Sequence, residues 1–172
     1  MSNKSLPGSI LHAAGQALSG SLTDEVTVHI DATPEQVWAL VSDVTRIGEF
    51  SPETLTARWT RGATGPEAGA YFKGQVKRNG VGPTYWTLCR VDVADEPRQF
   101  EFTVVVKDQA VNTWGYRIVP ASSGVDVTEY FKLDPNPALR LYWLLLGWAR
   151  GGTNREGMRT TLERIRAVVE AE

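Results

Sequence analysis

Cysteine is nearly absent from this 172-residue chain, which carries only Cys89. That excludes an intramolecular disulfide and a cysteine metal cluster. Histidine is almost as scarce: His12 and His29 lie in separate contexts with no ligand spacing, so no metal is expected, and no cofactor. An excess of one charge is missing as well. Eighteen basic residues against twenty acidic ones leave a net charge of −2, without the clustered basic surplus of a nucleic-acid surface. The apolar run Leu141–Ala149, between Arg140 and Arg150, is nine residues long, far short of the ~20 needed to span a bilayer. No P-loop, dinucleotide glycine fingerprint, Ser-His-Asp set or Cys-His set can be read. Near the N-terminus the apolar stretch Ile10 to Leu18 is broken by His12 and Gly15, so no secretory leader is read and a cytoplasmic protein is expected.

What the chain does have is aromatic side chains: six Trp, five Tyr and five Phe. Large rings line pockets as well as cores. Residues 1–22, rich in Ser, Gly and Ala, read as a flexible tail preceding a domain over 23–172. Val26, Val28 and Ile30 alternate with Thr27 and His29, the signature of a half-buried strand. Thr33 and Gln36 then stand at capping-box spacing with Pro34 at the first helical position. Val37, Leu40, Val41 and Val44 form the stripe of that short helix, and Ile47–Pro52 reads as a second helical turn or a loop.

From Leu55 to Leu133 the pattern is strands and turns. Leu55, Ala57 and Trp59 alternate, as do Phe72, Gly74 and Val76; Asn79-Gly80 marks a turn, and Tyr85–Val93 is a longer strand. Phe100, Phe102, Val104 and Val106 share one face, Trp114, Tyr116 and Ile118 the next, and Val125, Val127, Phe131 and Leu133 the last. Because no helix interrupts these strands, hairpins and an antiparallel sheet are expected. Asn136-Pro137 supplies a start signal for one long helix to the C-terminus, with Met158, Leu162, Ile165 and Val169 as its buried stripe. The fold class is α+β: a curved antiparallel sheet of about seven strands around a long C-terminal helix, with two short helices after the first strand.

Several of these residues together resemble the START-like (SRPBCC) superfamily. They are Asp31-Ala-Thr-Pro34-Glu-Gln-Val37-Trp38, Val41-Ser-Asp43, Phe50-Ser-Pro52, Gly69-Ala-Tyr-Phe72-Lys-Gly74, Trp86-Thr-Leu-Cys89, Gly124-Val-Asp-Val127-Thr and Gly157-Met158-Arg-Thr-Thr-Leu162. Within it they are most similar to the polyketide cyclase/dehydrase and lipid-transport family. The resemblance implies a helix-grip fold with a deep hydrophobic cavity between sheet and long helix. Members of the superfamily include lipid and sterol carriers, plant hormone receptors, polyketide aromatases/cyclases and components of stress and toxin modules, so function belongs to the cavity and not to the fold.

Alternation assigns the cavity wall. Trp59, Phe72, Phe102, Trp114, Tyr116 and Phe131 point inward from the strands, with Val76, Cys89, Phe100 and Val104; Trp38 and Phe50 come from the short helices, and Leu144, Trp148, Arg155 and Met158 from the long one. Either these rings fill a core or they enclose a pocket. The polar candidates are Asn112, in phase with Trp114, and Glu129, in phase with Val127 and Phe131. A buried charge needs a partner, so Glu129 and Arg155 are expected to meet each other or a ligand's polar head. Cys89 reads as a small buried apolar residue.

The first functional reading is binding or transport of a hydrophobic small molecule, lipid-like or polycyclic. A polyketide cyclase using cavity acid/base groups is the alternative, for which no catalytic residue is named. A third reading is an interaction module with a vestigial cavity. The outer side of Leu141–Ala149 would then serve as a homodimer contact or a seat for the N-terminal tail, ahead of a membrane surface.

Overall fold

The computed structural model describes residues 23–80, 82–133 and 148–172, with the backbone alone at Asn79 and over 148–154. Strand β1 (Thr23–Ile30) leads into helix α1 (Pro34–Ser42), a 3₁₀ turn (Val44–Arg46) and the one-turn helix α2 (Ile47–Phe50). Six strands come next: β2 (Thr54–Thr60), β3 (Tyr71–Val76), β4 (Tyr85–Asp95), β5 (Gln99–Val106), β6 (Gln109–Pro120) and β7 (Val125–Leu133). Helix α3 (Trp148–Val169) ends the described chain. The start expected for it at Asn136-Pro137, the apolar run over 141–147 and the tail over 1–22 lie outside the described residues.

All seven strands form one sheet in the order β1-β7-β6-β5-β4-β3-β2. Every pairing is antiparallel, as the absence of interrupting helices requires. The chain therefore runs down the sheet by hairpins from β2 to β7, and β1 closes the far edge against β7. With the helices packed on one face, this is the helix-grip arrangement expected.

Local chemistry sets the helix boundaries. The capping box at α1 is complete: Gln36 N–H donates to Thr33 Oγ1 at 3.3 Å and Thr33 N–H donates to Gln36 Oε1 at 2.9 Å. Asp43 caps the next turn, accepting from Thr45 N–H at 3.0 Å. The stripe of α3 is buried as its periodicity demands, with Met158, Leu162, Ile165 and Val169 all in the core beside Val37, Leu40 and Val41 of α1. Polar clamps hold the end of α3. Arg46 donates to Glu49 at 2.8 Å and to Glu172 at 2.7 Å, and Glu170 accepts from Asp31 N–H at 3.1 Å.

Two irregularities shape the corner where α2 meets β2. A bulge between Thr54 and Thr56 shifts the β2–β3 register, so Leu55 is 50% exposed and does not share the face of Ala57 and Trp59. Gly48 in α2 faces the β2 backbone so closely that a Cβ there would stand 2.2 Å from the Leu55 carbonyl oxygen. Only glycine allows this approach, which brings Phe50 and Ser51 up against the sheet.

Candidate functional site

Between the inner face of the sheet and α3 lies a cavity of about 540 Å³. That is within the range of small-molecule sites. Phe72 and Gly74 of β3, Cys89 of β4, Phe102 and Val104 of β5, and Asn112, Trp114 and Tyr116 of β6 line its sheet side. Met158 and Thr161 of α3 line the opposite side, with Ile47, Ser51 and Pro52 at a corner. Gly74 lets two threonines close over the floor: an added Cβ would lie 3.3 Å from Thr54 and 3.5 Å from Thr87. The cavity opens where β4 begins and β5 ends, at the exposed side chains of Tyr85 and Val106.

Seven of the expected site residues line this space: Phe72, Phe102, Asn112, Trp114, Tyr116, Glu129 and Met158. Four others stand behind the wall and shape it. Phe50 packs edge-on against Tyr116 at 6.3 Å, and Trp59 against Phe72 at 5.9 Å. Phe131 leans on Trp114 at 4.7 Å, and Trp38 meets Phe100 edge-on at 6.2 Å. The Trp59–Phe72–Phe102–Phe100–Trp38 contacts form a continuous aromatic chain across the inner face. Each such pair adds about 0.5–1.5 kcal/mol beyond area burial. Leu144 and the side chain of Trp148 lie outside the described residues.

Arg155 does not join the site. It turns over β1 and holds Asp24, donating from Nη2 to Oδ1 at 2.6 Å, and is largely exposed. The expected meeting with Glu129 does not occur. Position on α3 explains why: Arg155 is one turn before Met158, but the helix there crosses the β1 edge, where Asp24 is within reach. Arg155 instead borders an open depression on the outer side with Arg117, Tyr130 and Lys132. The charges of that depression are largely engaged in pairs such as Arg117 with Glu25 and Lys132 with Glu101.

Glu129 is therefore a buried carboxyl, 5% exposed, with no cation beside it among the described residues. The Tyr116 hydroxyl donates to its Oε1 at 3.2 Å. Oε2 has no hydrogen-bond partner among the described residues, and neither does the buried Oδ1 of Asn112. The Thr161 hydroxyl adjoins the carboxyl from α3, but its proton goes to the Gly157 carbonyl at 3.0 Å. Burial pushes the Glu129 carboxyl up to about 8, against the smaller pull of the Tyr116 and Thr161 hydroxyls. Burial and the neighbouring Glu129 likewise hold the Tyr116 phenol well above its ordinary value. At neutral pH the pair is thus a neutral carboxylic acid beside a neutral phenol. Cys89 is buried, and burial pushes its thiol up to about 12, so it is a wall residue and not a nucleophile.

Thr161 and Gly74 line the cavity but are not among the expected site residues. Thr161 lies three residues after Met158 and so shares its face; that spacing was the available signal. Gly74 offers no side chain to read, and its role is the close approach of Thr54 and Thr87 that it allows.

Comparison with known proteins agrees with this geometry. The family described as polyketide cyclase / dehydrase and lipid transport matches residues 22–170. The chain belongs to that family. A polyketide-cyclase-like protein of Corynebacterium glutamicum is 30% identical, with 89% of this chain and 95% of that one covered at a TM-score of 0.59. A protein of Nitrosomonas europaea shares the fold at 14% identity and a TM-score of 0.64, over 87% of this chain and 95% of its own. A di-domain ARO/CYC protein of the steffimycin biosynthetic pathway is 11% identical at a TM-score of 0.64, over 95% of this chain and 55% of that one. No curated protein matches the chain in sequence. No helix among the described residues is long and apolar enough to cross a membrane.

Proposed function

We propose that this polyketide cyclase/dehydrase-family protein binds a hydrophobic small molecule between its sheet and α3 and carries or senses it. The observation behind this reading is the cavity itself: about 540 Å³, with Phe72, Cys89, Phe102, Val104 and Trp114 on its sheet side and Met158 facing them. Packed interiors do not leave such volume without reason. A wall of this kind suits a lipid-like chain or a flat polycyclic body.

Binding ranks ahead of cyclase chemistry because of what surrounds Glu129. Enolising a carbon next to a carbonyl needs a base as well as an acid. Among the described residues Glu129 faces the Tyr116 phenol and the Thr161 hydroxyl, and neither is a base at neutral pH. Environments that push two titratable groups apart mark acid/base pairs; here both are pushed the same way.

Native mass spectrometry of the freshly purified protein, followed by solvent extraction, tests the proposal. A discrete apolar adduct of defined mass is expected. A clean unliganded mass, together with no uptake of added fatty alcohols or polycyclic compounds, would discard it.

A further inference from the structure

Of the polar side chains that line the cavity, Glu129 and Asn112 carry buried oxygens with no hydrogen-bond partner among the described residues, and their separation is fixed by the sheet. In the β6–β7 register Tyr116 stands opposite Glu129, and Asn112 stands opposite Leu133. Asn112 and Tyr116 are four residues apart on one face of β6, about 13 Å at 3.3 Å per residue. Between them lies Trp114, backed by Phe131. The two unpartnered buried atoms, Glu129 Oε2 and Asn112 Oδ1, thus sit at opposite ends of an aromatic surface inside one cavity.

We infer that the ligand is bipolar: an apolar body with a hydrogen-bonding group at each end, an uncharged one meeting Glu129 at the inner end, the other meeting Asn112 toward the mouth. The inference rests on the reading of the cavity as a binding site.

Chemistry assigns the sense of each contact. Tyr116 donates its own proton to Oε1, so the proton of the neutral acid belongs on Oε2, free for a ligand oxygen that competes with the neighbouring Thr161 oxygen. Asn112 Oδ1 is an acceptor and calls for a ligand hydroxyl or N–H. A hydroxyl at each end satisfies both. An anionic end group would meet no cation beside Glu129 among the described residues, because Arg155 is committed to Asp24 on the outside. A cationic end would need Glu129 ionised, and burial opposes that. Buried polar atoms left unpaired are costly, which is why two such atoms in one cavity specify a ligand.

Isothermal titration with 1-decanol, 1,8-octanediol, 1,10-decanediol and 1,12-dodecanediol tests this. Purely apolar capture raises affinity about fourfold per methylene, and a second hydroxyl then gives no gain. The bipolar site predicts one diol length at which binding exceeds, by roughly tenfold, what the fourfold-per-methylene trend gives for that length. Glu129→Leu and Asn112→Leu should each remove that excess. A steady rise of about fourfold per methylene along the diols, with 1,10-decanediol binding no tighter than 1-decanol, would overturn the inference while leaving the cavity reading intact. Binding of none would overturn both. Tighter binding of 1,10-diaminodecane than of 1,10-decanediol would overturn the uncharged assignment. Should Glu129→Leu fail to fold, the length series on the native protein decides.

Discussion

Glu129 is a carboxylic acid held in an apolar cavity, and this has a consequence for stability as well as for binding. In the folded protein it keeps its proton to about pH 8, whereas a carboxyl of the unfolded chain loses it near 4.5. Its folded-state value is raised, so its contribution is fully present below pH 4.5 and is lost as pH rises toward 8. Across that window unfolding becomes easier by about 1.4 kcal/mol per pH unit. Carboxylates held low by arginines, such as Glu49 beside Arg46 and Asp95 beside Arg98, finish titrating below the window and do not mask the effect. Urea midpoints of the empty protein should therefore fall between pH 5 and pH 8, and Glu129→Gln should flatten the profile. An unchanged slope in that variant would show that Glu129 is ionised in the fold. Sequence placed this residue correctly on the inner face, because Glu129 falls in phase with Val125, Val127, Phe131 and Leu133 of β7. It misassigned the partner. Periodicity gives the face of a helix but not where the helix crosses the sheet, so Arg155 was expected inside and stands at Asp24 instead.

At the scale of single elements, pairing of strands relies on what the outer face can fit. Tyr130 is out of phase with the inward set, yet it is buried on the outer side because it lies across Gly115. Its hydroxyl donates to Glu101 at 2.6 Å and accepts from Gln99 at 2.9 Å. A Cβ at Gly115 would come within 2.3 Å of that oxygen. Gly115→Ala should force the ring out, break both bonds and cost about 1–3 kcal/mol. The urea midpoint reports it, and the double variant Gly115→Ala/Tyr130→Ser should show no further loss from the alanine. A full additive loss in the double variant would place the strain in the backbone instead. Strand number and the α1 cap were legible because turn residues and capping spacing are local signals. The Leu55 bulge and the Tyr130–Gly115 contact were not, since each depends on a neighbouring strand whose register a single sequence does not reveal.

The largest question concerns the whole molecule: whether the inward aromatics fill a core or enclose a space. Alternation could not decide it, because it assigns faces and leaves sheet curvature open. Trp38, Trp59, Phe50 and Phe131 packed behind the wall, whereas Phe72, Phe102 and Trp114 reached the cavity. The two states respond oppositely to added volume. Enlarging a side chain in a filled core costs about 1–3 kcal/mol through displaced rotamers. Enlarging one beside an empty cavity buries more apolar surface, and the added ring of a phenylalanine contributes about 1 kcal/mol of stability. Val104 lines the cavity opposite Asn112 and is the natural place for the comparison. Val104→Phe should raise the urea midpoint of the empty protein while reducing uptake of the apolar adduct seen by native mass spectrometry. A lowered midpoint would mean that the space is already occupied by packed side chains, and the binding reading would lose its physical basis. A raised midpoint with ligand uptake unchanged would place the bound molecule elsewhere in the cavity, toward Met158 and Thr161.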